Sequence, residues 1–129
     1  VTDELLGKGG FGAVYIANYN GRNAAAKLET NMDHDSSRRK AFWRELEAMI
    51  RLRSPHIVHV YGAITSREDR LVLVMELLPG GDLRALLKDA VEPLAEARAR
   101  RIIGDMCTGM SFLHSKETIH GDLKSPNVL

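Results

Sequence analysis

The stretch Gly7-Lys8-Gly9-Gly10-Phe11-Gly12-Ala13-Val14 carries the spacing G-x-G-x-x-G-x-V, and it constrains this chain more than any other segment. Glycines let backbone N–H groups come close to phosphate oxygens with no side chain between them. The dinucleotide-binding fold uses the same letters, but there a helix follows the loop directly. Here Val14-Tyr15-Ile16 continues as strand-compatible residues, so the expectation is a strand, a loop and a strand that together cover phosphates. The Walker A pattern is absent, since no G-x-x-x-x-G-K-[ST] occurs. A glycine-rich hairpin turn with no ligand is the plainer alternative.

The first third reads as strands. Leu5-Leu6 leads into the glycines, Ala13 to Ala17 follows them, and Asn20-Gly21 is a two-residue turn signal before a third run at Ala24 to Leu28. Ala24-Ala25-Ala26-Lys27-Leu28-Glu29 taken alone prefers helix. The hairpin signal before it and the breaker-rich stretch Thr30 to Ser37 after it favour a strand. Ser37 to Arg53 is an amphipathic helix that Pro55 ends; at about 100° per residue, Phe42, Leu46, Met49 and Ile50 fall within roughly one quadrant. Two further strands, Ile57 to Ile64 and Leu71 to Met75, flank the polar turn Ser66-Arg67-Glu68-Asp69. After Pro79-Gly80-Gly81, Asp82 is placed to cap a brief helix through Lys88. A long helix then runs from Glu96 to Ser115, with Ile102, Ile103, Met106, Met110 and Leu113 on one stripe. The expected fold class is α+β: a five-stranded antiparallel sheet with one helix, followed by a mainly helical part.

The 18 basic and 17 acidic residues nearly cancel, which argues against a nucleic-acid or membrane-surface footprint. Cys107 is the single cysteine, so no internal disulfide forms and a reducing, cytoplasmic setting is expected. The longest apolar run, Leu71 to Leu78, contains Glu76 and is too short to span a bilayer. Val1 lies almost directly before a strand and Leu129 inside an apolar segment, so both ends read as cut.

Period two along the third strand puts Ala25 and Lys27 on one face. A small residue beside a cation suits a wall that receives a flat base and its phosphates, and Lys27 then needs a partner to fix its flexible stem. Of the glutamates on the following helix, Glu45 lies about 40° from Met49, at the edge of the apolar stripe, while Glu47 lies about 140° from Phe42 on the solvent side. Glu45 is the candidate. Singly, each reads as an ordinary surface charge; with the glycine loop they read together.

The chain closes on Ile119-His120-Gly121-Asp122-Leu123-Lys124-Ser125-Pro126-Asn127-Val128-Leu129, which contains H-x-D-L-K-x-x-N. With the glycine loop, Ala25-x-Lys27 and Glu45 before it, in this order and spacing, the chain resembles a eukaryotic protein kinase over essentially its whole length. The resemblance implies a kinase N-lobe with its hinge in residues 1–78, and a partial, truncated C-lobe in 79–129. It also implies ATP and Mg2+ as cofactors and a protein serine or threonine hydroxyl as acceptor. By the same resemblance Asp122 is the catalytic base. Lys124 steadies the transferring phosphoryl group, and Asn127 holds one of two magnesium ions. Lys27 contacts the α- and β-phosphates, with Glu45 as its ion-pair partner. Gly7, Lys8, Gly9, Gly10, Phe11 and Gly12 form the lid, and Leu6, Val14 and Ala25 sandwich the adenine. Met75 takes the gatekeeper place, the Glu76 carbonyl and the Leu78 N–H bond the adenine edge, and Asp82 reaches the ribose as well as capping its helix. Lys124, two residues past Asp122, resembles the serine/threonine form of this loop. Together with Phe42-Trp43-Arg44-Glu45-Leu46, that wording looks most like the tyrosine-kinase-like branch.

The chain departs from the family at three places. Gly121 stands where most members have an arginine that pairs with a phosphate on the activation loop, a contact glycine cannot make; switching by that phosphorylation is expected to be weak or absent. The family continues to a D-F-G metal ligand after the catalytic loop, so this stretch by itself is expected to be a fragment of an enzyme and inefficient alone. Ala24 and Ala26 replace bulkier residues, so looser packing is expected behind the third strand. The competing reading is a nucleotide-binding, pseudokinase-type interaction module. His34, His56 and His59 lack ligand-like spacing and read as surface or satisfied polar groups. His120 resembles the family's bracing histidine, Cys107 reads as a small core residue, and Arg98, Arg100 and Arg101 as a solvated helix face.

Overall fold

A computed structural model of the chain describes residues 4–9, 12–29, 36–65 and 71–129. Gly10, Phe11, His34 and the expected turn Ser66-Arg67-Glu68-Asp69 lie outside the described residues, as do the side chains of Lys8, Phe42 and Glu45. The chain divides into two compact units, Val1–Arg53 with Val58–Leu77, and Ser54–Ile57 with Leu78–Leu129.

In the first unit β1 (Leu5–Gly9), β2 (Gly12–Tyr19), β3 (Arg22–Glu29), β4 (Val60–Thr65) and β5 (Leu71–Glu76) form one antiparallel sheet in the order β1-β2-β3-β5-β4. Tyr19 pairs with Arg22 across Asn20 and Gly21, whose φ values of 51° and 80° are those of a type I′ hairpin turn. β3 is helix-prone in isolation, yet it ladders on both sides, to β2 and to β5, and this satisfies its backbone as a strand. Ala24 and Ala26 are both 0% exposed. Small side chains in the middle of this sheet are therefore covered rather than left open, with Tyr15 and Val74 opposite Ala26 in register.

Helix α1 (Ser36–Arg51) packs Leu46 against Val60 and Leu73, with Trp43, Ile50, Ala63 and Met75 around them. Met49, expected on the buried stripe, is exposed. The buried face is centred on Leu46 and leans toward Trp43 and Ile50, which leaves Met49 at its edge. The helix stops at Arg51, before Pro55, and β4 starts at Val60 rather than Ile57. Ile57 instead bonds back to Ser54 across a tight turn, with its N–H 3.2 Å from the Ser54 carbonyl.

In the second unit α2 (Leu83–Asp89) is capped by Asp82, whose Oδ1 accepts from the Ala85 N–H at 2.8 Å. Helix α3 (Glu96–Ser115) buries Gly109 and Leu113. Ile103 and Cys107, placed on or beside the apolar stripe from sequence, are exposed. At about 100° per residue, Ile102, Met106, Gly109 and Leu113 share a sector of about 60°, whereas Ile103 and Cys107 turn about 100° and 140° away from Ile102. Cys107 is not a core residue. Gly109 allows a close approach: a Cβ there would lie 2.9 Å from the backbone oxygen of His56.

Candidate functional site

The segment 119–129 is set by the end of α3 and by α2. Past Ser115 the chain closes with Thr118 N–H on the Leu113 carbonyl and Glu117 N–H on the His114 carbonyl, each at 3.0 Å. Further on, Ser125–Asn127 make a 3₁₀ turn, and the Leu83 N–H donates to the Val128 carbonyl at 2.8 Å, tying the segment to the start of α2.

Between these anchors three of the expected residues meet. Lys124 Nζ lies 2.9 Å from Asp122 Oδ2. Asn127 Nδ2 donates to the same Oδ2 at 3.0 Å and to the Asp122 carbonyl at 2.7 Å. The Asp122 N–H donates to His120 Nδ1 at 3.3 Å. The Lys124 hydrogen bond holds the Asp122 carboxyl below its ordinary range; partial desolvation opposes this, and the Asn127 bond and the charges of Lys124 and His120 add to it. The group is a half-exposed carboxylate, charged at neutral pH.

The other expected residues lie in the first unit. Val14 is opposite Lys27, and Ala25 is opposite both Ile16 and Met75, so Val14, Ala25 and Lys27 share one face of the sheet. Leu73, opposite Lys27 on the other side, belongs to the cluster that α1 covers. The helix that carries Glu45 therefore lies on the face that carries Lys27, which is half-buried. The Glu45 side chain itself is outside the described residues. Leu6 sits where the β1–β2 register shifts, between Leu5 and Gly7, and is exposed.

At the end of β5, Glu76 and His59 bond reciprocally: the Glu76 N–H donates to the His59 carbonyl at 2.8 Å, and the His59 N–H to Glu76 Oε2 at 3.2 Å. Leu77 ends the first unit and Leu78 begins the last part of the second. Asp82 commits Oδ1 to its helix cap.

Three features escape the sequence reading. Lys124 contacts the Asp122 carboxylate directly, Glu76 is tied to His59 just before β4, and Gly121 holds φ +74°. His59, read as a surface or satisfied group, has a buried Nδ1 with no hydrogen-bond partner among the described residues, while its ring lies edge-on to Tyr61 at 5.0 Å. No spacing rule reports on any of these, because each depends on where a side chain or torsion points.

Residues 1–129 match the family described as protein tyrosine and serine/threonine kinase. The chain is 39% identical over 130 residues to the serine/threonine-protein kinase CTR1 of Arabidopsis thaliana, covering 98% of this chain and 16% of that protein. It is 35% identical over 125 residues to the human kinase suppressor of Ras 2, covering 97% of this chain and 13% of that protein. The chain thus spans less than a fifth of either relative. Among solved structures, a mutant form of the Mycobacterium tuberculosis PknI kinase domain superposes with a TM-score of 0.81 at 25% identity, over 96% of this chain and 51% of that one.

Proposed function

Because the chain belongs to the protein tyrosine and serine/threonine kinase family, we propose that it supplies the nucleotide-holding sheet and the catalytic loop of an ATP-dependent protein serine/threonine kinase. One observation carries the reading: the Asp122 carboxylate is held through a single oxygen by Lys124 and Asn127. Both donors address Oδ2, which leaves Oδ1 to take or orient the proton of an attacking hydroxyl. Held charged by Lys124, the group is a base rather than an acid at neutral pH.

Asn127 directs its amide N–H2 to Asp122, so its carbonyl oxygen, a hard donor, remains for a cation. Among the described residues no three His, Cys, Asp or Glu side chains cluster as a metal site. This suits magnesium that arrives on nucleotide phosphates, since such ions take one or two protein ligands and the rest from phosphate and water. When bound, magnesium ATP supplies the phosphoryl group and the positive charge that offsets its developing charge. Lys27 binds the phosphates from the sheet, and α1 offers Glu45 to orient it. Val14 and Ala25, small and apolar on the same face, receive the base, with Leu6 at its edge. The Glu76 carbonyl and the Leu78 N–H hold the adenine edge, and the second Asp82 oxygen reaches the ribose. Lys124, already beside the base, steadies the phosphoryl oxygens. A reducing, cytoplasmic setting suits the exposed thiol of Cys107.

In the full-length protein, Lys27→Ala and Asp122→Asn each lower phosphorylation of a generic serine/threonine substrate by about a hundredfold or more. Unchanged turnover in both variants would sink the mechanism. Nucleotide binding without phosphoryl transfer in the unaltered protein would favour a module that only holds nucleotide, the reading to which glycine at position 121 points.

A further inference from the structure

We infer that the outer face of the sheet, turned away from Lys27 and α1, carries a docking site for a short acidic peptide segment that includes an aromatic residue. Register places the site. Tyr19 is opposite Arg22 and Ala17 is opposite Ala24, so these four share one face while Ala25 and Lys27 take the other. Tyr19 stands on β2 and Tyr61 on β4, with β3 and β5 between them, a span of about 14 Å of sheet. Their rings nevertheless stack, with centroids 5.2 Å apart and planes 10° from parallel. They meet over Ala24, which is 0% exposed. A bulkier residue at that position would hold the rings apart, so the small side chain is what lets two tyrosines bridge the sheet.

Beside the stack lies a cavity of about 290 Å³, lined by Tyr19, Asn20, Arg22, Asn23, Ala24 and Tyr61. Among these residues Arg22 alone is charged at neutral pH, so the space favours an anion. Glu76, opposite Ala24, gives a carboxylate oxygen to the His59 N–H and does not line the space. The His59 ring lies edge-on to Tyr61 at 5.0 Å, so Tyr61 is held between an edge and a face before anything binds. The walls describe the occupant. Tyrosine rings take an aromatic side chain by offset stacking, and the Arg22 guanidinium takes a carboxylate in its fork. The Asn20 and Asn23 carboxamides, each both donor and acceptor, match peptide groups. The volume is at the lower end for a small-molecule pocket, which suits a side chain and its neighbour on a peptide rather than a whole cofactor.

The test is binding of three fluorescein-labelled pentapeptides to the full-length protein, followed by anisotropy: Glu-Glu-Trp-Glu-Glu, Lys-Lys-Trp-Lys-Lys and Glu-Glu-Ala-Glu-Glu. The first is expected to bind about tenfold more tightly than either of the others. Tyr19→Ala weakens it about tenfold. Arg22→Glu reverses the order of the acidic and basic tryptophan peptides, and Arg22→Lys keeps it; damage to the fold would weaken both peptides and reverse nothing. Saturating magnesium ATP leaves the affinity unchanged, because the nucleotide face of the sheet is the opposite one. Equal affinity for the acidic and basic peptides, an order that Arg22→Glu does not move, or displacement by magnesium ATP overturns the inference. So does indole-3-acetate binding as tightly as the acidic peptide, which would make the cavity a small-molecule site. No arm reads phosphoryl transfer, so the result is separate from that of the kinase reading.

Discussion

Asp122 owes its charge to its own loop. The Lys124 ammonium two residues on is the largest influence on its carboxyl, and the Asn127 amide five residues on is a smaller one in the same direction. The folded pKa lies below the unfolded value, so the stabilisation from these contacts is complete above the ordinary carboxylate range and is lost as pH falls through the lowered value. We expect Lys124→Ala to raise the Asp122 pKa toward that ordinary range, followed by carbon NMR of the carboxyl in the full-length protein. An unchanged titration would exclude Lys124 as the main cause. The residue types at 122, 124 and 127 were legible from spacing alone. That the lysine turns onto the aspartate was not, because two residues of separation in a loop leave the side-chain direction open.

At the scale of elements, the end of α3 shows a compromise. Glu117 sits at φ 55°, the left-handed position that closes the helix, with Thr118 N–H reaching back to Leu113 and Glu117 N–H to His114. Glycine is the usual residue there because it has no Cβ to crowd the turn. Glu117 is exposed, so Glu117→Gly should stabilise the protein by about 0.5–1 kcal/mol, measured by denaturant unfolding. A loss of stability would mean that the glutamate makes a contact worth more than the strain. The bounds of α3 matched the sequence reading end to end, while its buried face did not. Periodicity identifies a helix, but the centre of its apolar sector depends on what packs there, here the turn at His56 against Gly109.

For the whole molecule, the chain does not pass once from the sheet to the helices. Ser54–Ile57 group with the helical unit, and the chain then returns to β4. The place where this turn meets α3 leaves no room for a methyl group, since the nearest atom to a Gly109 Cβ is backbone at 2.9 Å. Gly109→Ala should therefore destabilise the full-length protein by about 1–3 kcal/mol, read as a lower denaturation midpoint. If the midpoint does not move, the turn shifts freely and is not tied to α3.

Neighbouring residues alone carried much of this protein: the Asn20-Gly21 hairpin, the Asp82 cap, the extent of α3, and the ordered spacing from the glycine loop to Asn127 by which the family is known. The first three are short-range properties, fixed by torsions and side chains a few positions apart, and the last is the order of residue types along the sequence itself. Folding had to settle the rest. β3 is a strand because β2 and β5 bond both its edges, α1 lies over the face of Lys27 because Leu46 finds Val60 and Leu73, and Cys107 is exposed because the covered side of α3 points elsewhere. Each of those outcomes depends on partners distant in the chain, and local preference has no means of registering them.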